Sequence, residues 1–308
     1  MSKLNICAIA MGIFLALINP TLSYAQEPEA NTTPSIQRTP EIIYWYRNYD
    51  TQATHRLLQL ALDKTADLYG KTTIKRSPKI TQGRAIADLQ QSKHGTVTLI
   101  NVIPDLEREK NLIPVYLPTD DGLIGLRVCI INANDQERFN NIRSHQDISD
   151  HNIVFGQSEH WPDTKILRAN GLTVITNSVY ENLFTMLKNK RFNCFLRGVS
   201  EVYSDLENQG DDTLSVESTL LFSYPSASLF FVNKNNQQLA TRLELGLRRA
   251  TLDGSYQTHY RAMYSKNLEK LKLSQRRIFR LNNPLISDQG LKKVAEKLNF
   301  NDGKLDIY

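Results

Sequence analysis

The sequence predicts an α/β protein of two lobes that are joined by two extended segments. Strand and helix patterns alternate from Glu41 to Ile103, give way to extended, proline-containing chain, and alternate again over residues 152–207. This alternation indicates mostly parallel sheets flanked by helices. Two extended passages bracket the middle unit, and the roughly 280 residues that follow an N-terminal export signal exceed the usual size of one core.

The N-terminus has the three parts of a cleavable secretory signal. Lys3 precedes an apolar run at 4–18, residues 19–20 break that run, and Ala25 ends a cleavage site of small residues. The apolar run of about 15 residues is shorter than the roughly 20 that a spanning helix needs, although an uncleaved anchor is the alternative. We therefore expect cleavage after Ala25, export to the periplasm and a flexible leader at 26–40.

The first lobe is predicted from residues 41–120 together with 223–264. Apolar residues at helical spacing predict its helices, and β-branched and aromatic runs predict its strands. The elements are a strand at 41–46, a helix at 54–69, a strand at 72–75, a helix at 82–91, a strand at 96–103, extended chain at 111–118 and 216–232, and a long helix at 236–264 interrupted near Asp253-Gly254.

The second lobe is predicted from residues 121–222, inserted between the two parts of the first. Its elements are strands at 125–131, 152–156, 172–176 and 192–196 and helices at 161–170, 179–190 and 199–207. Residues 265–308 are expected to form a C-terminal extension of unassigned role. Within that extension, the basic run at 276–280 is interpreted as a solvated face.

Two cysteines remain once the signal is removed, Cys129 and Cys194. Two are too few for the disulfide framework of a small secreted domain. They could form one bridge or be two buried thiols, and the apolar residues around both favour buried thiols.

Charge and motifs exclude several classes of function. The net charge is +5, but the basic residues are interleaved with acidic ones, and no aromatic–basic motif of a nucleic-acid-binding module is present. The six histidines lack metal-ligand spacing, and there is no nucleophile elbow, phosphate loop or dinucleotide fingerprint. We predict no nucleic-acid partner, no metal, no cofactor and no catalysis. A mild positive potential would attract anionic solutes.

Three stretches carry a resemblance to a known family: Leu99–Arg108 with the following 113–116, Arg191–Leu196, and Leu243–Tyr264 with its Asp-Gly-Ser-Tyr turn. Their order and spacing resemble the polar-amino-acid type of periplasmic solute-binding proteins, family 3 of the bacterial solute-binding proteins. The resemblance covers roughly residues 41–264. It implies the type II periplasmic binding fold, in which two α/β lobes hold a ligand in the cleft between them.

The sequence departs from the family's pattern at the residues that would bind the ligand. Arg197-Gly198 stands where the family has an aspartate that binds an ammonium group, and Arg47 occupies an acidic position. Ile103 or Asp105 stands where the family has a serine or threonine, whereas the family's arginine is kept as Arg108. The departures indicate a polar, carboxylate-bearing solute that differs from an ordinary α-amino acid.

The candidate ligand-binding residues follow from the rule that α/β sheets bind ligands at the carboxyl ends of their strands. Arginine suits a carboxylate because its planar fork donates two hydrogen bonds. In the loop before Pro162, free amide groups at a helix start would favour an anion, with plain capping by Ser158 or His160 as the alternative. The candidates are Tyr46, Arg47, Arg84, Asn101, Arg108, Gln157, Ser158, Trp161, Arg197 and Glu201.

The sequence therefore predicts a monomeric periplasmic receptor that closes around a small solute. Its partner would be the permease of an ABC importer or a membrane-bound sensor. One alternative is a dehydratase-like enzyme of the same fold, with Glu159 or Glu201 as the catalytic carboxylate. The other is an interaction module that has lost its ligand.

Overall fold

A computed structural model describes residues 41–92 and 94–288. The predicted signal peptide, the leader and the last part of the C-terminal extension lie outside these residues. No helix within the described ranges is long and apolar enough to cross a membrane.

The chain begins with short strands that alternate with helices. These elements are β1 (Ile42–Tyr44), α1 (Tyr46–Asp50), α2 (Gln52–Asp63), α3 (Ala66–Tyr69), β2 (Ile74–Arg76), α4 (Gln82–Gln91), β3 (Ile100–Val102), α5 (Leu106–Asn111) and β4 (Leu112–Val115). The strand predicted at 41–46 ends two residues early, because the chain turns into helix α1 at Tyr46.

The middle of the chain repeats this alternation. Its elements are β5 (Leu126–Asn132), α6 (Glu137–Asn140), α7 (His145–Asp150), β6 (Phe155–Ser158), α8 (Pro162–Ala169), β7 (Val174–Asn177), α9 (Tyr180–Lys188), β8 (Cys194–Gly198), α10 (Val202–Gln209), β9 (Leu214–Val216) and β10 (Leu220–Ser223). The chain then forms β11 (Leu229–Asn233), α11 (Gln237–Leu252), α12 (Ser255–Leu271) and β12 (Arg277–Arg280).

The strands divide into two groups, which define the two lobes. In the first lobe β1 pairs with β2 in parallel, β11 lies antiparallel between β3 and β4, and a parallel bridge from Tyr44 to Leu99 joins these sheets. In the second lobe seven strands form one sheet in the order β12-β10-β5-β8-β6-β7, with β9 beside β5. We predicted mostly parallel sheets, but the sheets are mixed. Strands β5, β10 and β11 adjoin the segments that cross between the lobes, and each of them pairs antiparallel with a neighbouring strand. The predicted residue boundaries of the lobes stay a prediction.

Helix packing in the first lobe depends on one glycine. Helix α11 lies so close to α2 that a Cβ atom on Gly246 would be 2.0 Å from the carbonyl oxygen of Ala61. The approach buries Leu57, Leu58 and Leu243 against each other. The break predicted in the long helix is confirmed, since α11 ends at Leu252 and α12 starts at Ser255.

Cys129 and Cys194 form a disulfide between β5 and β8, so the favoured prediction of two free thiols is wrong. Both side chains are fully buried, as their apolar neighbours indicated. The sequence could not show that the two strands are adjacent, with Cys129 opposite Leu196, because the two cysteines are 65 positions apart.

The basic run at 276–280 is part of the second lobe, which overturns its interpretation as a solvated face. Strand β12 pairs in parallel with β10, and Phe279 is buried in the core. Arg276 is also buried and donates to the carbonyl oxygens of Leu271, Glu217 and Leu220. The alternation of buried and exposed residues along a strand explains why its charged residues misled the prediction.

Candidate functional site

A cavity of about 110 Å³ lies between the two lobes. The hinge consists of residues 116–125, which lead from β4 to β5, and residues 224–228, which lead from β10 to β11. The cavity is lined from both sides. The first lobe and the hinge contribute Trp45, Arg47, Asn48, Gln82, Asn101, Arg108, Asp120 and Ser228, and the second lobe contributes Arg127, Trp161, Asp163, Arg197, Ser200 and Glu201.

Asp120 is the hinge carboxylate that lines the cavity. Its oxygens accept from the backbone amides of Ile124 at 2.8 Å, Gly122 at 3.3 Å and Ser228 at 3.4 Å, and from the Ser200 hydroxyl at 3.4 Å. Burial raises its pKa to about 6, although the backbone hydrogen bonds act in the opposite direction. It forms no ion pair with any residue that the structure describes.

Asn101, a predicted ligand-binding residue, lines the cavity and also makes hydrogen bonds to the hinge. Its side-chain amide donates to the Thr119 hydroxyl at 3.0 Å, and its carbonyl oxygen accepts from the Ser228 hydroxyl at 2.7 Å. Its backbone is held by two hydrogen bonds to the side chain of Asn48. Asn101 therefore lines the cavity while its side chain connects the two hinge segments to the first lobe.

Arg127 and Asp163 form a buried ion pair on the second-lobe wall. Nη2 of Arg127 lies 2.7 Å from Oδ1 of Asp163, and both side chains are about 2% exposed. The Tyr224 hydroxyl donates to the same carboxylate. Burial would lower the pKa of Arg127, but Asp163, Tyr224 and Glu201 outweigh it and raise the pKa. This carboxylate lies in the first turn of α8, where it already neutralises the helix end that the sequence offered to an anion.

Arg197 is enclosed by carboxylates and aromatic rings. Its Nε lies 2.5 Å from Asp205, its Nη2 lies 3.1 Å from Glu201, and its guanidinium carbon lies 4.6 Å from the centre of the Trp161 ring. Burial acts to lower the pKa of Arg197, while Asp205 and Glu201 raise it overall. The side chain presents a fixed charge at the cavity, but one that has counterions of its own.

Arg108 connects the lobes across the mouth of the cleft. It donates to the Ile103 carbonyl at 2.5 Å and the Gln82 side chain at 3.1 Å in the first lobe, and to the His160 carbonyl at 2.8 Å in the second. Its Nε lies 3.2 Å from Asp105. Burial lowers its pKa, which Asp105 partly offsets. The donors of Arg108 are thus used by protein acceptors, which favours a role in holding the lobes together.

Arg47 differs from the other three arginines of the cavity because no described carboxylate pairs with it. Its guanidinium carbon lies 3.4 Å from the centre of the Tyr180 ring, which belongs to the opposite lobe. Its Nη1 atom is buried and has no hydrogen-bond partner in the described part of the chain, which is also true of Nε of Arg127. A buried donor without a partner costs free energy, so a ligand oxygen at this atom would be stabilising.

The lobes also touch where helix α4 begins. The His160 imidazole lies against Gly83, so closely that a Cβ atom at Gly83 would be 2.9 Å from the ring. Together with the Arg108 and Arg47 contacts, this gives three contacts between the lobes at the cleft.

The structure brings most, but not all, of the predicted residues to the cleft. Arg47, Asn101, Arg108, Trp161, Arg197 and Glu201 line the cavity, and Tyr46 and Ser158 line an adjoining groove. Arg84 lies on the exposed face of α4, and Gln157 is buried in the sheet, where it donates to the Leu196 carbonyl at 2.8 Å. Neither lines the cavity. Capping by Ser158 or His160 is wrong as well, since Trp161 precedes α8 without a side-chain capping bond.

Sequence reasoning found Glu201 but missed the other two acidic residues of the cavity, Asp120 and Asp163, and Arg127, which pairs with Asp163. Asp120 ends the first predicted segment of the first lobe, and an acid where the chain crosses between lobes is a usable signal. Asp163 follows Pro162 in the first turn of a helix, a common place for an exposed acid, and nothing local shows that it is buried against Arg127.

No protein-family model and no curated protein matches this sequence. Solved structures match it in fold, including an ancestral arginine-binding protein bound to glutamine, with a TM-score of 0.56 and 14% identity over 74% of this chain and 99% of the other. The fold is that of a type II periplasmic binding protein. An amino acid ABC transporter substrate-binding protein from Streptococcus pneumoniae bound to L-arginine has a TM-score of 0.56 and 13% identity, covering 74% and 95% of the two chains. An ancestral amino-acid-binding protein, a precursor of cyclohexadienyl dehydratase, has a TM-score of 0.53 and 12% identity, covering 73% and 95%. The predicted two-lobed α/β fold is thereby confirmed.

Proposed function

We propose that this protein is an exported receptor that closes around a small zwitterionic solute, binding its carboxylate at Arg47 and its cationic group at Asp120. The observation that carries the proposal is the charge pairing of the cavity. Of its four arginines and three carboxylates, Arg47 and Asp120 alone lack an oppositely charged partner among the described residues.

The charge inventory supports a zwitterion over a simple anion. Arg108, Arg127 and Arg197 each have a carboxylate within ion-pair distance, so they add little net attraction for an anion. An uncompensated buried charge is costly, and a ligand that supplies the opposite charge removes that cost. The fold supports the same role, since the matching structures include proteins bound to arginine and to glutamine.

Export and delivery belong to the same proposal. The disulfide between Cys129 and Cys194 is typical of an oxidising compartment such as the periplasm, in agreement with the N-terminal signal pattern. One matching structure is an ABC transporter substrate-binding protein, which supports a permease as partner. A membrane-bound sensor is the other partner we consider, and we propose that the receptor acts as a monomer.

The test is a thermal-shift screen of the mature chain against amino acids, organic acids, peptides and sugar acids, followed by variants. A ligand at about 100 times its dissociation constant adds roughly 2.7 kcal/mol to the folded state. Arg47→Ala and Asp120→Asn should each weaken binding of the discovered ligand at least ten-fold. Arg84→Ala removes an exposed arginine outside the cavity and is the matched control. Normal binding by both cavity variants would contradict the proposal.

The same screen tests the dehydratase alternative. That alternative has support from one matching structure, which is a precursor of a dehydratase. A receptor leaves its solute unchanged, whereas an enzyme consumes it. Glu201, one of the two suspected catalytic residues, lies 3.1 Å from Arg197 and 3.6 Å from Arg127. Glu159 lines a groove outside the inner cavity. Mass spectrometry of the ligand after incubation would show turnover if either residue acted as a catalyst.

A further inference from the structure

A second groove, here named the vestibule, adjoins the inner cavity at the cleft. It has a volume of about 310 Å³ and shares Trp45, Arg47, Gln82 and Trp161 with the inner cavity. Residues 79–82 of the first lobe and 178–181 of the second form its opposite walls. The vestibule is thus a continuation of the binding cavity, bounded by both lobes.

The chemistry of the vestibule differs from that of the inner cavity. Its walls carry four aromatic rings, those of Trp45, Tyr46, Trp161 and Tyr180. The Trp161 and Tyr180 ring centres are 5.9 Å apart, and those of Trp45 and Tyr46 are 5.7 Å apart. Arg47 and Arg197 lie over the Tyr180 and Trp161 rings, so a flat apolar group would pack against the parts of the rings that remain exposed. At about 110 Å³ the inner cavity has room for a small charged head group, while the vestibule is within the usual size of small-molecule sites.

Arg47 stands at the boundary between the two spaces. It lines both of them, its guanidinium covers the Tyr180 ring, and its buried Nη1 has no partner among the described residues. A carboxylate bound to it would lie between a group in the inner cavity and a group in the vestibule. This arrangement fits a ligand with a cationic end, a carboxylate further along and an aromatic substituent beside that carboxylate.

We propose that the receptor binds dipeptides, or amino acids extended to a similar length, with the terminal ammonium group at Asp120, the carboxylate at Arg47 and an aromatic C-terminal side chain in the vestibule. This inference rests on the proposed receptor function and names its class of ligand. An aromatic C-terminal residue gains apolar contacts with the exposed parts of these rings that a glycine in the same place lacks.

Two dipeptides that share their head group test the inference by calorimetric titration. Glycyl-L-phenylalanine should bind at least ten-fold more tightly than glycylglycine. Ser178→Trp places a bulky ring in the exposed wall of the vestibule and should abolish that preference while glycylglycine still binds. Ser149→Trp, at an exposed position of α7 in the same lobe, should leave the preference unchanged.

The outcomes separate this inference from the proposed function. Equal affinity for the two dipeptides, or an unchanged preference in Ser178→Trp, would overturn the inference. Binding of free amino acids without binding of either dipeptide would overturn it too, and would leave the receptor function standing. An absence of binding to any zwitterion in the screen would overturn both.

Discussion

Asp120 gives the folded state a pH dependence that can be measured. Its carboxyl is buried, and its pKa is raised from 3.8 to about 6 by burial. Between about pH 4 and pH 6 the folded state therefore binds more protons here than the unfolded state does. The stabilisation from this group is complete below about pH 4 and is lost as the pH rises through 6. The raised pKa corresponds to a change of about 3 kcal/mol in the free energy of unfolding.

Urea denaturation between pH 4 and pH 7 tests this, with Asp120→Asn as the comparison. Other carboxylates, such as Asp253 with its lowered pKa, give the opposite slope, so only the difference between the two proteins is informative. Stability of the wild type relative to the variant should fall as the pH rises from 4 to 7. A constant difference would mean that the pKa of Asp120 is the same in the folded and unfolded states.

The sequence identified cleft residues better than it identified their roles. It placed Arg47, Arg108 and Arg197 in the cleft because arginines near strand ends are visible in a single sequence. Whether an arginine is free to bind a ligand depends on its counterions, and Asp205 meets Arg197 only through the packing of α10 against β8. The roles of Arg108 and Asn101 depend likewise on contacts from other elements, namely the His160 carbonyl and the hinge hydroxyls.

At the scale of elements, helix α4 contacts the His160 loop of the second lobe at Gly83, so we expect a larger side chain there to keep the lobes further apart. Gly83→Leu would place a side chain where the imidazole now lies, since even a Cβ atom comes within 2.9 Å of it. Leucine forms helices better than glycine, so α4 should be stabilised by roughly 0.5–1 kcal/mol. We expect a higher or unchanged melting temperature together with a several-fold lower ligand affinity.

The double variant Gly83→Leu/His160→Ala is the control for that effect. Removing the imidazole makes room for the leucine, so affinity should recover toward that of His160→Ala alone. The His160 backbone carbonyl that binds Arg108 is retained in this variant. Strictly additive losses would show that Gly83 does not act through His160.

The disulfide between β5 and β8 stabilises the second-lobe sheet. It closes a loop with a sequence separation of 65, for which chain entropy gives about 4 kcal/mol. The variant Cys129→Ala/Cys194→Ala should be destabilised by about 2–4 kcal/mol and should retain its ligand affinity, because neither cysteine lines the cavity. Denaturation with and without reductant measures this, and the double variant should not respond to the reductant.

At the scale of the whole molecule, the order of strands and helices was predictable, whereas the pairing of distant strands was not. Alternating patterns predicted helix α4 with its observed bounds and the break at Asp253-Gly254. Strand β12 was missed because its partner β10 lies more than 50 residues away and its charged residues resemble a surface. Local periodicity carries no information about such pairings.

The chain that follows strand β12 connects the two lobes. Neither the sequence analysis nor a hinge of two segments predicts this connection. After β12, Asn282 exchanges two hydrogen bonds with Asn170 of the second lobe, Asn283 donates to the hinge carbonyl of Pro225, and the Leu285 carbonyl accepts from Leu106 of the first lobe. Residues 281–286, here named the C-terminal segment, therefore bind both lobes. We expect such a connection to restrict how far the lobes can open.

Breaking the bonds of the C-terminal segment should let the ligand-free protein open further. Asn170→Ala removes two of them and Asn283→Ala one, each worth about 1 kcal/mol. We expect the double variant to have a larger radius of gyration in small-angle X-ray scattering without ligand, and the same radius as wild type when a ligand closes the lobes. Asn235→Ala, at an exposed position of the first lobe, is the matched control. An unchanged radius of gyration in the double variant would mean that the two hinge segments alone limit the opening of the lobes. The C-terminal segment would then move with the lobes without restraining them.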